Sequence, residues 1–134
     1  TAATTKGFVM EFIHAPKACA SVGPYSHCVK AGSTYYLCGQ VPFHPVTGEV
    51  VGNGMKEQAV QTLANMKAVL EAAGLAVTDI AKTTVFVTNM DDFAAFNEVY
   101  AAFMGEHRPA RVCVEVSNIA HGCLLEMDAI CFKE

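Results

Sequence analysis

Apolar positions along this chain recur in two different periods, and the secondary-structure elements follow from where one gives way to the other. Phe8 to Ile13 and Tyr35 to Cys38 carry the β-branched and aromatic residues of short strands, with Ser26 to Lys30 a weaker strand between them. Gly32 and Ser33 form a hairpin turn, and His44-Pro45-Val46-Thr47-Gly48-Glu49 places proline and glycine where a surface loop wants them. From Met55 to Ala73 the period lengthens. Met55, Ala59, Leu63, Met66, Leu70 and Ala73 recur at three- and four-residue steps, while Lys56, Gln61, Asn65 and Lys67 fall largely elsewhere, which predicts an amphipathic helix stopped by Gly74. Ile80 to Val87 is then a buried strand, and the helix before it is the crossover that lets it run parallel to an earlier strand. Asp91 or Asp92 caps a second helix, whose Phe93, Phe96, Tyr100 and Phe103 form one stripe ending at Gly105.

Two strands close the chain, Arg111 to Ser117 and Cys123 to Phe132, and the turn Asn118 to Gly122 between them predicts an antiparallel hairpin. Alternation puts Val112, Val114 and Val116 on one face, opposite Arg111, Cys113 and Glu115. One face must pack on the helices, so the valines are expected there with Leu125 and Met127. That gathers Arg111, Cys113, Glu126 and Asp128 on the other face as the candidate site. The order βββαβαββ predicts one α+β domain over residues 1–134, with residues 1–7 loose. Its single mixed sheet carries both helices on one side, and the second sheet face is bare unless another subunit covers it.

Composition strengthens that last point. Charged residues make up 16% of the 134 and apolar residues 52%, against about 25% charged in a typical soluble domain, and mean hydropathy is +0.30. A chain of this length cannot hide such a surplus internally, so a homo-oligomer is expected. Net charge is −4 with only 9 Lys and Arg and no basic cluster, which disfavours a nucleic-acid partner. The two arginines, Arg108 and Arg111, are the one guanidinium-rich spot and the first place to look for a carboxylate-bearing ligand. The longest uncharged stretch, between Lys30 and Glu49, is broken by Gly32, Gly39, Pro42 and Pro45, so no membrane span is expected. Thr1 to Gly7 lack the apolar run of a signal peptide, and a start without Met reads as processed or trimmed. Cys19, Cys28, Cys38, Cys113, Cys123 and Cys131 read as reduced, mostly buried thiols of an intracellular protein, with the cytosol expected and a mitochondrion as the alternative. The five histidines form no pair spaced for a metal.

The block Pro109-Ala110-Arg111-Val112-Cys113-Val114-Glu115-Val116, followed by Leu125-Glu126-Met127-Asp128-Ala129-Ile130, resembles the signature of the Rid family, reactive-intermediate deaminases that hydrolyse enamines and imines. Gly23-Pro24-Tyr25-Ser26, Gly39-Gln40-Val41-Pro42, Thr47-Gly48-Glu49-Val50, the helix end Leu70 to Leu75 and Lys82-Thr83-Thr84-Val85-Phe86-Val87 extend the likeness from Ala15-Pro16 to Phe132. The resemblance implies a chorismate-mutase-like homotrimer with active sites in three clefts between subunits. It implies a cofactor-free hydrolysis of 2-aminoacrylate, or its imine tautomer, to a 2-keto acid and ammonia. By the same resemblance Arg111 clamps the substrate carboxylate and Glu126 orients the attacking water. Tyr25, Cys38, Gly39, Asn97 and Cys113 line the cleft.

The chain departs from the family pattern in three places. Cys38 stands where Ser or Thr is usual and is a weaker donor, the segment from Glu106 to Pro109 is short and contains Arg108, and Ala120 replaces a common proline. Plainer roles stand beside these. Arg111 is placed for an ion pair with Asp128 or Glu126 across the hairpin, and Cys113 for packing or, with no His nearby in sequence, least of all for covalent attack. Tyr25 could cap the core, Asn97 could face solvent, and the phenylalanines of the second helix read as core. Two other functions belong to different classes: a ribonuclease or translation inhibitor, which the acidic balance opposes, and a non-catalytic trimer that binds a small carboxylate.

Overall fold

The computed structural model describes residues 2–5 and 8–134, with side chains described from Val9 onward. Thr1, Lys6 and Gly7 lie outside the described residues, whereas Ala2–Thr5, expected to be loose, form strand β1 along β2 (Phe8–Ile13). Strands β3 (Cys28–Ala31) and β4 (Thr34–Gln40) follow, joined at Gly32 and Ser33 as expected. Gly32 supplies the positive φ of 62° that a two-residue turn requires. Helix α1 (Met55–Ala72) leads to β5 (Ile80–Val87), helix α2 (Phe93–Met104) to β6 (Ala110–Glu115), and β7 (Leu125–Phe132) ends the chain. All seven strands join one sheet in the order β1-β2-β3-β4-β7-β5-β6.

That order corrects two expectations from the sequence. The last two strands do not form a hairpin: β7 inserts between β4 and β5, antiparallel to both, and β6 pairs in parallel with β5 on the far side. Inserted there, β7 has its backbone groups paired on both edges. Strand β5 does run in the same direction as β4, but β7 lies between them, so the parallel pair is formed with the later strand β6 and α2 is its crossover.

The core lies between the sheet and the two helices. Ala59, Leu63, Met66, Val69 and Leu70 of α1 and Phe96, Tyr100 and Met104 of α2 meet Val85, Val87, Leu125, Met127, Ala129 and Cys131. All six cysteines are free, and burial pushes the thiols of Cys28 and Cys123 up to about 11 and that of Cys131 up to about 12, as expected of packing residues.

The faces of β6 are the reverse of the sequence expectation. Residues paired across strands share a face, and Arg111 and Cys113 pair with Thr83 and Val85, both buried beneath the helices. The valines therefore turn outward, Val112 at 44% and Val114 at 40% exposure. A strand at the sheet edge need not put its most apolar residues under the helices when the other face has its own apolar layer. Met10, Phe12, Tyr36 and Phe132 lie exposed on that second face by register with Ala31, Val29, Ile130 and Thr34.

Candidate active site

On the helix side of β6, the Arg111 guanidinium lies over three rings of α2: its carbon is 4.9 Å from the Tyr100 centroid, 5.2 Å from Phe93 and 5.9 Å from Phe96. Phe93, Asn97 and Tyr100 are spaced to share one face of α2, so the helix supplies both the aromatic bed and a polar anchor. Nη1 of Arg111 donates to Oδ1 of Asn97 at 2.8 Å. The Tyr100 hydroxyl is held by Thr83 Oγ1 at 2.8 Å. Arg111, Asn97, Tyr100, Arg108 and Pro109 line a hollow of about 440 Å³. Among the described residues the only ion pair is Lys56 with Glu98 at 2.7 Å, so neither arginine has a carboxylate within 4.0 Å. A half-buried guanidinium with most of its donors open and no counter-charge is a site for an anion with two acceptor oxygens. Cys113 lies on the same face, partly buried against the core. Burial raises its thiol above the ordinary value, and the Arg111 charge opposes the rise.

A second hollow, of about 370 Å³, opens where the segments after β2 and β4 meet β7. Tyr25, His27, Cys38, Gly39, Phe43, Ala120 and Glu126 are among its lining residues. Burial raises the Glu126 carboxyl above the usual carboxylate range, and neighbouring Asp128 adds to the rise. Gly39 is glycine for lack of room: a Cβ there would lie 3.0 Å from Cδ of Glu126 and closer still to a carboxylate oxygen. Burial also raises the Cys38 thiol, against a hydrogen bond from Gln40 Nε2 at 3.1 Å. The buried His27 has one tautomer fixed. The Ala15 N–H donates to Nδ1 at 2.9 Å, so Nε2 carries the proton and donates to the Cys19 carbonyl at 2.7 Å.

The walls of this hollow are held by amide side chains of α1: Asn65, expected away from the apolar stripe, and Gln58, on which the sequence pattern made no assignment. Asn65 is 2% exposed, and its Nδ2 donates to the carbonyls of Val41 and Phe43 at 2.9 and 2.8 Å while Gln61 Nε2 donates to its Oδ1 at 2.9 Å. Gln58, 4% exposed, donates to the Gly52 carbonyl at 3.1 Å and accepts from the Leu124 N–H at 2.8 Å, just ahead of Glu126. The available signal was spacing. Gln58, Thr62 and Asn65 stand four and three residues apart beside the apolar stripe, where a solvent-facing row would more commonly carry charge.

The structure thus brings Arg111 to Asn97, with Cys113 on the same face, and brings Tyr25, Cys38, Gly39 and Glu126 together. It does not bring the two groups to each other. Arg111 lies on the helix side and Glu126 on the opposite face, with β5 between their strands, because Phe86 pairs with Glu126 while Thr83 pairs with Arg111. The expected single polar face is therefore split in two, and the ion pair between Arg111 and Glu126 or Asp128 does not form. Among the described residues no group of three or more His, Cys, Asp or Glu could hold a metal, and no helix is long and apolar enough to cross a membrane.

A mixed sheet with two helices on one face and a hollow toward each face defines the class as an α+β domain with small-molecule-sized clefts. Comparison with known proteins narrows the class to a family. The family model described as Endoribonuclease L-PSP matches residues 14–133. A RutC family protein of Pyrococcus horikoshii is 48% identical over 124 residues, covering 92% of this chain and 98% of its own length. The 2-iminobutanoate/2-iminopropanoate deaminase of Escherichia coli is 46% identical over 117 residues, covering 85% and 91%. Among solved structures, RidA from an Antarctic Psychrobacter superposes with a TM-score of 0.88 at 41% identity, covering 92% of this chain and 99% of that one. The chain belongs to the L-PSP family, which includes the RutC and Rid proteins, as the sequence blocks had suggested.

Proposed function

We propose that this protein is a hydrolytic deaminase of short 2-imino and 2-enamino acids, working as a homotrimer whose sites are completed between copies. The observation that carries the reading is Arg111: a half-buried guanidinium, fixed by Asn97 and an aromatic bed, with no carboxylate within 4.0 Å among the described residues. The similarity to the E. coli imine deaminase supports the reaction class. The bare apolar sheet face supports an oligomer, and the separation of Arg111 from Glu126 supports a cleft to which two copies each contribute one hollow. The deficit of positive charge, 9 Lys and Arg against 13 Asp and Glu, weighs against an RNA-cleaving role.

In this mechanism Arg111 of one copy grips the substrate carboxylate through two parallel charge-assisted hydrogen bonds and presents C2 to the second copy's hollow. Glu126 there takes a proton from water as the oxygen adds to C2 and passes it to the imine nitrogen, giving a carbinolamine. Glu126 then takes the new hydroxyl's proton and delivers it to the amino group, so that the C–N bond breaks as C=O forms, ammonia leaves, and the 2-keto acid remains. An enamine enters after protonation at its terminal carbon. A carboxyl raised above its usual range suits Glu126 to both accepting and returning a proton. Gly39 leaves room for that carboxylate, Tyr25 and Cys38 line the same hollow, and Asn97 holds Arg111 in place in the other.

The test is hydrolysis of enzymatically generated 2-aminoacrylate. Arg111→Ala abolishes turnover while sedimentation shows an unchanged assembly; turnover at the parental rate removes the arginine from the mechanism.

A further inference from the structure

Arg108, the second arginine, is not accounted for by that reaction. It lines the same hollow as Arg111, together with Asn97, Tyr100 and Pro109. Its Nη1 donates to the carbonyls of Gly105 and His107 at 2.6 and 2.9 Å. This anchors it at the C-terminal end of α2, whose last turn carries no basic residue of its own. The anchoring occupies one nitrogen, and the remaining N–H groups of the fork stay open. Two like charges sharing one hollow repel, and no carboxylate lies within 4.0 Å of either among the described residues. The arrangement is favourable once anionic groups occupy both forks.

We infer that Arg108 binds a second carboxylate and that the preferred substrates are 2-imino dicarboxylic acids, in which Arg111 holds the carboxylate beside the imine carbon and Arg108 the one on the side chain. This rests on the deaminase reading and names its substrate class. The chemistry is unchanged: water adds at C2, ammonia leaves, and a 2-keto dicarboxylic acid is released without any oxidant or reductant. The reaction that supplies such a substrate is oxidation of an acidic amino acid at its α-carbon.

The experiment compares imines generated by amino-acid oxidases from aspartate or glutamate with those from alanine or leucine, using the full chain. Binding of 2-oxoglutarate and 2-oxobutyrate is measured calorimetrically in parallel. The expected result is a higher kcat/KM for the dicarboxylic imine. Arg108→Gln, which can still bond one helix carbonyl, lowers that preference about tenfold or more through KM, whereas Lys67→Gln, on an exposed turn of α1, leaves it unchanged. Arg108→Gln likewise weakens 2-oxoglutarate more than 2-oxobutyrate. A substrate ratio and a binding ratio both indifferent to Arg108→Gln overturn the inference. Absence of any imine hydrolysis with Arg108-dependent 2-oxoglutarate binding intact refutes the deaminase reading alone and leaves the dicarboxylate site standing.

Discussion

Arg111 and Glu126 cannot meet within one chain, and this can be tested by mixing two inactive variants. Arg111→Ala keeps the Glu126 hollow intact, and Glu126→Gln keeps the Arg111 hollow intact. Their separation is set by the sheet itself: the residues sit on opposite faces of β6 and β7, and β5 is hydrogen-bonded between those strands. No side-chain rotation carries either group through a closed sheet. If each site takes Arg111 from one copy and Glu126 from a neighbour, random 1:1 assembly provides an intact Arg111 half the time and an intact Glu126 half the time. About a quarter of the sites are then complete, so activity returns to about a quarter of the parental value in any closed ring of this kind. The assay is 2-aminoacrylate hydrolysis by the unfractionated 1:1 population after the two variants are co-refolded or co-expressed, with different tags used to show that mixed assemblies form. If mixed assemblies form but stay as inactive as their parents, the shared-site geometry is wrong. Full activity in either parent alone would remove that residue from the chemistry.

Three further outcomes follow from named contacts. Gly39→Ala forces the Glu126 carboxylate to move, and because an ångström of misplacement at a reacting centre costs on the order of 10²-fold, hydrolysis falls by about that factor with assembly unchanged in sedimentation; unaltered rates would show that the Glu126 position does not matter. The Glu126 carboxyl is raised in the folded protein, so the native state binds more protons there than the unfolded chain does. Its ionisation costs stability that is absent below the ordinary carboxylate pKa and grows as pH rises through the raised value. Glu126→Gln therefore raises Tm at neutral pH, with the gain vanishing near pH 4; a pH-independent difference contradicts the burial argument. Asn65→Ala leaves the Val41 and Phe43 carbonyls without their donor and lowers stability in urea unfolding by about 1–3 kcal/mol. A loss no larger than for an exposed alanine substitution would show that water replaces the amide.

Local pattern was enough to place Phe8–Ile13, the Gly32-Ser33 turn, both helices and Ile80–Val87, because burial of a stripe or an alternating face leaves its period in the residues themselves. It was also enough to pick out Arg111 and Glu126 as residues to examine, since a guanidinium and a carboxylate stand out in apolar strands, whereas Asn97 and Gly39 were indicated only by the resemblance to the Rid family. The sequence did not reveal which strand pairs with which. The choice between a terminal hairpin and insertion of β7 between β4 and β5 depends on long-range pairing that short-range periodicity does not encode, and with it went the assignment of the faces of β6. Asn65 was set apart from the buried stripe for a related reason: an amide looks like a surface residue until the loop carbonyls that it satisfies are brought across the helix. Residue chemistry is carried by the sequence, but which two groups share a cleft is decided by sheet order. Here that order sends the anion-gripping arginine and the protonatable glutamate to opposite sides of one hydrogen-bonded layer.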